Sequence, residues 1–402
     1  MGKDYIETIP RQVKDAEIAS DAIDHTAVAD SFINLNSGDP AASNDTGEGY
    51  VLGSLWVNTT SGSQFICTAT TAENATWINQ EGDSINVPTI SGSTYAIVAQ
   101  GGSSATPNYG SEDAIWTWAM ASPFSINDWG EISPSGPSVA MLQANIGSMR
   151  TPATAFIAGG NDGTQGSGTR VDTIKSFNLA SPSSATDVGE MAGNKATLSS
   201  GCDLTYGALA GGVTNPSTAL DTIETMTLSA SPGNSVDSGS ELTAVASYNA
   251  GASNSGDGSV YVINGTPSLT NVDKFNVRLS PATVTDWAET THTGNTRHSS
   301  CSDNTNLFGV GGYEGGGDTS RKNMDQWTFS SGGAATDWGD LAYLTRDSAS
   351  NSGVTYMWTS GGISPPNTVT TQVDRFSASS SGDAVDQGDM TTDKAWHYGT
   401  EV

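Results

Sequence analysis

The sequence predicts an all-β protein, most of it six copies of one small antiparallel sheet closed into a ring, and three recurring marks carry that prediction. An aspartate, one residue and a small residue recur as Asp128-Trp129-Gly130, Asp187-Val188-Gly189, Asp237-Ser238-Gly239, Asp286-Trp287-Ala288, Asp337-Trp338-Gly339 and Asp386-Gln387-Gly388, with successive aspartates 59, 50, 49, 51 and 49 residues apart. A bulky apolar residue stands 10 or 11 positions before each aspartate (Trp118, Phe177, Met226, Phe275, Trp327, Phe376), and another lies three positions before that (Ile115, Ile174, Ile223, Val272, Met324, Val373). Each unit begins with a short apolar run ending in small residues: Gly101-Gly102, Gly159-Gly160, Gly211-Gly212, Asn264-Gly265, Gly311-Gly312 and Gly361-Gly362.

A period of this size means a solenoid or a propeller. Segments such as YVINGT, NVDKFNV and ATDWGDL are β-branched and aromatic, divided by Gly, Ser, Asn and Pro, so each unit reads as strands and turns rather than paired helices. A sheet that small is not stable alone and must stack on its neighbours. A further strand starts near a basic residue before the paired glycines: KATLSSGC from Lys195, RHSSCSDN from Arg297 and RDSASNSG from Arg346. The C-terminal KAWHYGTEV, from Lys394, matches these strands but has no Gly-Gly after it, whereas the first unit has a Gly-Gly strand and little room for a strand before it. The C-terminus is therefore expected to supply the innermost strand of the first blade, removing free sheet edges. Both ends of the ring then leave on one face, and the loops after each Gly-Gly and each Asp-x-Gly strand lie on the other.

The pairs IAGG with TIKSF, VGG with NMDQW and SGG with QVDRF resemble the kelch repeat, in which a strand ends in Gly-Gly, the next carries Val-x-x-Tyr and an outer strand holds a tryptophan. The resemblance covers residues 94–402 and implies a six-bladed kelch-like β-propeller; it is silent on chemistry.

Ahead of the repeats, residues 1–38 read as an anchor or stem, 39–80 as a small β-hairpin module and 81–93 as a linker. Val13, Ile18, Ile23, Val28 and Ile33 recur every five residues, a period that suits neither helix nor strand, so the segment is expected to wind along something else. DAEIASDAIDHTAVADSFI resembles the degenerate repeats of tailed-phage fibre stems; the alternative is a disordered acidic leader. In GYVLGSLWVNTTSGSQFICTATTAENATWIN, Leu55, Val57, Phe65 and Cys67 alternate with polar residues around Thr60-Ser61-Gly62, with Trp77 expected to cover their apolar face. This stretch too resembles a small β unit of phage fibre proteins.

The chain has 402 residues, and Lys+Arg 15 against Asp+Glu 43 gives a net charge of -28. That balance repels phosphate backbones and anionic membranes, so neither nucleic acid nor a membrane is expected as a partner. MGKDYIETIPRQVKD lacks the apolar core of a signal peptide, and no run is apolar enough to span a bilayer. Synthesis in a cytoplasm is the expectation. Cys67, Cys202 and Cys301 are odd in number and lack CxxC spacing, which predicts neither a disulfide framework nor a metal site.

No catalytic residue, metal site or cofactor is expected. The histidines are His25, His292, His298 and His397; His298 and His397 match in position between repeats and read as packing or channel lining. The Asp-x-Gly marks lack the full aspartate-box spacing, and no arginine cluster is evident, so a sialidase-type enzyme is disfavoured. Their aspartates are expected to bond turn amides and their glycines to take positive φ, with Trp129, Trp287 and Trp338 packing between blades. Candidate binding residues lie in the free-face loops: Asn108, Tyr109, Asn161, Asp162, His292, Tyr313, Glu314 and Asn367. Tyr109 and Tyr313 are expected to stack on a sugar ring while the amides and carboxylates bond its hydroxyls; the alternative is ordinary solvated loops. The resemblances together imply a virion structural protein of a tailed phage, a tail fibre or surface appendage whose propeller binds a host-surface glycan or receptor. It would attach to other virion proteins through residues 1–38 and form a homo-oligomer, a trimer by analogy with fibres. The other readings are a capsid decoration or adaptor protein and, behind it, a glycan-degrading enzyme.

Overall fold

The structure is a computed structural model. It describes residues 33–44, 50–59, 64–71, 74–79, 84–85, 95–103, 110–119, 126–131 and 147–151, and most of 154–401 apart from 163–168, 180–182, 204, 216, 230–232, 255, 268–269, 292–294, 304, 315–318, 354 and 392–397. The described residues are strand and turn throughout, with no helix among them, and the chain divides into two compact units, Met1–Thr89 and Ile90–Val402. The stem period from Val13 to Val28 lies outside the described residues.

The first unit is one sheet whose strands lie in the order Ile33–Asn36, Leu55–Asn58, Gln64–Thr71, Asn74–Asn79, Ser84–Ile85. Only the first pair is parallel. The sheet thus takes in Ile33–Asn36, assigned from sequence to the stem, and Ser84–Ile85, assigned to the linker. Its core is Trp56, Phe65, Cys67, Ala75 and Trp77, with Tyr50 packed edge-on to Trp77 at 5.3 Å. The expected parity of the second strand is reversed: Trp56 and Asn58 are buried, while Leu55 and Val57 are only half-buried on the other face. The indole decides the register, because its ring has the largest area to bury and its Nε1–H reaches the Gly38 carbonyl at 2.7 Å.

Among the described residues the second unit has six main sheets, each built on four antiparallel strands; three of them carry one or two further short strands, one of these in parallel pairing, and two two-stranded sheets stand apart. In the order first to fourth strand, they are Tyr398–Glu401, Tyr95–Ser103, Gly110–Ala119, Ile126–Glu131; Gly147–Arg150, Thr154–Ala158, Thr173–Asn178, Thr186–Glu190; and Ser199–Cys202, Tyr206–Ala210, Thr218–Thr227, Val236–Ala246. Then follow Ala250–Asn254, Ser259–Ile263, Asn271–Asn276, Thr285–Glu289; Ser299–Ser302, Asn306–Val310, Thr319–Thr328, Thr336–Thr345; and Ala349–Asn351, Tyr356–Ser360, Gln372–Ser377, Val385–Asp389. The C-terminal strand joins the first sheet, with Gly399 opposite Val98, as the missing strand required. First strands are neighbours from one sheet to the next, and Tyr398–Glu401 has Ala349–Asn351 on one side and Gly147–Arg150 on the other.

The apolar marks make the contacts between sheets. Ile174, Ile223, Val272, Met324 and Val373 are fully buried, as are Phe177, Met226, Phe275, Trp327 and Phe376 nearly so. Each core draws on two adjacent sheets: Phe308, Met324 and Leu341 of the fifth, for example, meet Met357, Phe376 and Ala384 of the sixth. Trp338 packs there too, donating from Nε1 to the Ser377 carbonyl of the next sheet at 2.9 Å. Cys67, Cys202 and Cys301 are buried.

The Asp-x-Gly mark is a β-bulge within the fourth strand rather than a turn between strands. The register shifts at Ile174/Lys175, Ile223/Glu224, Val272/Asp273, Met324/Asp325 and Val373/Asp374, opposite the mark in each case. Asp187, Asp237, Asp337 and Asp386 each accept the amide of the glycine two residues on, at 2.8–3.2 Å. Directly behind the bulge on the third strand stands a buried acid: Glu224, Asp273, Asp325 or Asp374. Each reaches back to the end of the preceding sheet's fourth strand. Glu224 accepts Ala192 N–H at 3.0 Å, Asp273 accepts Thr243 N–H at 2.9 Å and its hydroxyl at 2.6 Å, Asp325 accepts Thr291 N–H at 3.2 Å and its hydroxyl at 2.6 Å, and Asp374 accepts Ala342 N–H at 2.7 Å. The first two units depart, with Trp116 and Lys175 at this position.

The paired glycines let the crossing segment, which runs from one sheet's fourth strand to the next sheet's first, lie against the end of the second strand. Gly160, Gly212 and Gly312 donate to the Lys195, Ala246 and Thr345 carbonyls at 2.8–2.9 Å. A Cβ on Gly212 would sit 2.7 Å from the Ala196 carbonyl oxygen, at φ +91°. Gly233 also has positive φ, +72°, but nothing within 4 Å of its Cβ position. Gly233→Ala is therefore expected to cost about 1 kcal/mol from φ alone, and Gly212→Ala at least about 2 kcal/mol because backbone must move as well. Urea unfolding of both variants measures this, and equal losses would contradict the close approach.

Candidate functional site

Each crossing segment must reverse the chain within a few residues before the next first strand. Four crossings among the described residues do so with a non-glycine residue in the left-handed region at one repeat position: Thr197 (φ 59°), Tyr248 (56°), Arg297 (59°) and Asp347 (54°). The conformation costs about 1–2 kcal/mol per L-residue, so four at equivalent places call for a compensating contact. That contact is a backbone chain from sheet to sheet: Tyr248 N–H donates to Thr197 C=O at 3.1 Å, Arg297 N–H to Tyr248 C=O at 3.3 Å, and Asp347 N–H to Arg297 C=O at 2.9 Å. Ala196, Ser247 and Arg346 bridge to Val213, Thr266 and Ile363, just past the second strands, which places this row at the Gly-Gly end of the sheets.

The side chains of this row and its neighbours converge. The Arg297 guanidinium lies 4.3 Å from the Tyr248 ring centroid and 5.8 Å from that of Tyr313, and that of Arg346 lies 4.8 Å from Tyr313. Asp347, wholly buried, takes an ion pair from Arg297 Nη1 at 3.2 Å and has Arg346 Nε 3.8 Å away. Arg346 also donates to Asn367 Oδ1 and, at 3.4 Å, to Ser320 Oγ. Two guanidiniums thus share one carboxylate, leaving one positive charge among tyrosine rings in a chain of net charge -28. Burial opposes the charge on Arg297, but the Asp347 carboxylate together with Tyr248 and Tyr313 outweighs it and raises the pKa above the ordinary arginine value. The Arg346 side chain is 8% exposed and its Nε makes no hydrogen bond, whereas the Arg297 side chain is 28% exposed.

Three of the residues chosen from sequence lie here. Tyr313 and Glu314 form a two-residue strand against Thr319–Ser320, with Thr296 opposite Tyr313. Glu314 pairs with Arg321 at 3.2 Å. Asn367, at φ 95°, holds Arg346. The Tyr313 ring, expected from sequence to stack on a sugar, lies beside guanidiniums of two neighbouring crossing segments. Asn161 and Asp162 form a separate hairpin with Thr169–Arg170; Asn108, Tyr109 and His292 lie outside the described residues. Reading the sequence missed Tyr248, Arg297, Arg346 and Asp347. The signal was present, since Arg297 and Arg346 were noted as starts of strands, but adjacency across repeats of unequal phase hid their convergence. Among the described residues no group of three or more His, Cys, Asp or Glu side chains could hold a metal ion.

His298, next to Arg297, is buried, and burial pushes its imidazole down to about 4, opposed by the Ile263 carbonyl. Neither ring nitrogen has a hydrogen bond of ordinary geometry.

No protein-family model matches the chain, and no curated protein matches it. Among solved structures, the chain is similar to YjhT, a kelch-type β-propeller protein: TM-score 0.55 at 12% identity, over 69% of this chain and 91% of that one. The likeness is one of all-β fold.

The unfolded imidazole takes up a proton near its ordinary value of 6.5, and folded His298 only near 4. Folding stability is therefore expected to be unaffected by His298 above 6.5 and to fall as the pH drops from there to about 4, by up to about 3 kcal/mol. His298→Asn, copying Asn249 at the equivalent position, should flatten this limb in urea titrations at pH 7 and pH 5 (about these values). An unchanged difference between the two pH values would contradict it.

Proposed function

We propose that residues 94–402 form a six-bladed kelch-like β-propeller closed by the C-terminal strand, and that the protein is a structural component of a tailed-phage virion. In this reading it is a tail fibre or surface appendage, anchored by residues 1–38 to other virion proteins, whose propeller binds a host-surface glycan or receptor at the Gly-Gly end. The neighbour relations of the six first strands and the likeness to YjhT support the propeller. The resemblance of the first eighty or so residues to fibre stems supports the virion.

The observation that carries binding is the row of left-handed residues at the Gly-Gly end. Rigid sheets hold Tyr248, Arg297 and Asp347 in strained backbone conformations and surround them with Tyr313, Arg346 and Asn367. Strain kept at a surface where sheets meet is characteristic of binding sites. The cluster holds a cation and ring faces, suited to ligand recognition, and the reading assigns it binding without turnover.

Mass spectrometry of purified virions is expected to detect the protein, and the full chain is expected to bind host cells as a trimer by light scattering. Arg297→Gln should weaken cell binding at least tenfold. Absence from the particle sinks the virion reading, binding to capsid protein but not to cells turns it into a decoration protein, and release of new reducing ends from host polysaccharide makes it an enzyme.

A further inference from the structure

We infer that the open guanidinium of Arg297 receives a carboxylate, so that the ligand of the Gly-Gly end is an acidic saccharide rather than a neutral one; this rests on the binding role proposed above. Three features of the cluster point there. Arg297 Nη1 is spent on Asp347 at 3.2 Å, while the side chain as a whole stays 28% accessible. A guanidinium with one edge held and another free is prepared for the two-point geometry of a carboxylate.

The charge balance favours the same ligand. Asp347 is buried and answers both Arg297 and Arg346, so two cations stand against one anion and the surplus is one positive charge. Arg346 cannot take the ligand in place of Arg297, because it is 8% exposed and already donates to Asn367 and Ser320. Its Nε makes no hydrogen bond and lies 3.8 Å from Asp347, so its positive charge stays close to the site. Glu314 is held by Arg321 and so does not neutralise the pair.

The rings define the other half of the site. The Arg297 guanidinium carbon lies over the Tyr248 ring, 4.3 Å from its centroid, so the ring helps to position the arginine. Thr197, one crossing segment further along, has a buried hydroxyl with no hydrogen-bond partner, a polar group at the same end of the sheets.

The test is titration calorimetry of the full chain with hexagalacturonate and with maltohexaose, an acidic and a neutral oligosaccharide of equal length. Hexagalacturonate is expected to bind, with affinity falling as salt rises, and maltohexaose to bind at least tenfold more weakly. Arg297→Gln should lose tenfold or more of the acidic ligand's affinity. Arg297→Lys, which keeps the charge opposite Asp347 and so protects folding, should lose several-fold because the fork is gone. Equal affinity for both oligosaccharides, or acidic binding unchanged in both variants, overturns the inference. Failure of both probes to bind while the protein still binds host cells also overturns it and leaves the proposed function standing; failure to bind cells at all removes both.

Discussion

A buried carboxylate on the third strand of one sheet, bonded to the backbone where the preceding sheet's fourth strand ends, is the contact on which the repeat depends. A four-stranded sheet cannot stand alone, and the apolar layer between sheets supplies the bulk of the energy, each buried Phe, Ile or Met giving about 1.5–3 kcal/mol. That layer is not directional. It would tolerate one sheet sliding on the next, and only a polar contact with a single satisfied geometry fixes the offset. Glu224, Asp273, Asp325 and Asp374 provide it at four successive interfaces. Their net contribution to stability is modest, because burying a carboxylate costs several kcal/mol that its hydrogen bonds largely offset. The asymmetry gives the contact its authority: a sheet placed out of register leaves a buried charge unpaired.

The bulge and the glycine pair follow from this contact. Opposite Asp273, Asp325 and Asp374 the fourth strand carries one extra residue and opposite Glu224 two, and at Asp237, Asp337 and Asp386 the Asp-x-Gly sequence closes the bulge on its own amide. At the end of the second strand, glycine admits the crossing segment to within hydrogen-bond distance. The crossing then arrives at the next first strand with one residue forced into the left-handed region, and those residues are stitched to one another from sheet to sheet. Recognition chemistry placed on such residues is held by the whole stack of sheets. Tyr248, Arg297 and Asp347 are such residues, and the proposed binding role rests on their rigidity as much as on their identity.

Much of this was legible in the sequence because the repeat shows each position six times. The apolar marks, the glycine pairs and the need for a C-terminal strand were read correctly from spacing, since burial between two sheets admits only large apolar residues at Ile223 or Phe275 and their equivalents. The acids were not recognised, although each follows directly on an apolar mark. Strand alternation turns Val272 and Asp273 to opposite faces, and nothing local says that both faces are covered. The parity of Leu55–Asn58 failed for a related reason: alternation fixes which residues share a face, and the bulk of Trp56 decided which face went inward. The Arg297–Asp347–Arg346 cluster joins residues from adjacent crossings, and their closeness depends on the stitching of left-handed residues that spacing does not reveal.

The account stands or falls on the carboxylate contact between sheets, and the third and fourth offer the cleanest place to measure it. Asp273 accepts both the amide and the hydroxyl of Thr243, so a double-mutant cycle of Thr243→Val and Asp273→Asn by urea unfolding isolates the side-chain bond across the interface. A coupling energy of about 1 kcal/mol or more is predicted, with each single change destabilising. Additivity within about 0.3 kcal/mol would show that the two side chains do not hold the sheets in register, and would contradict the account.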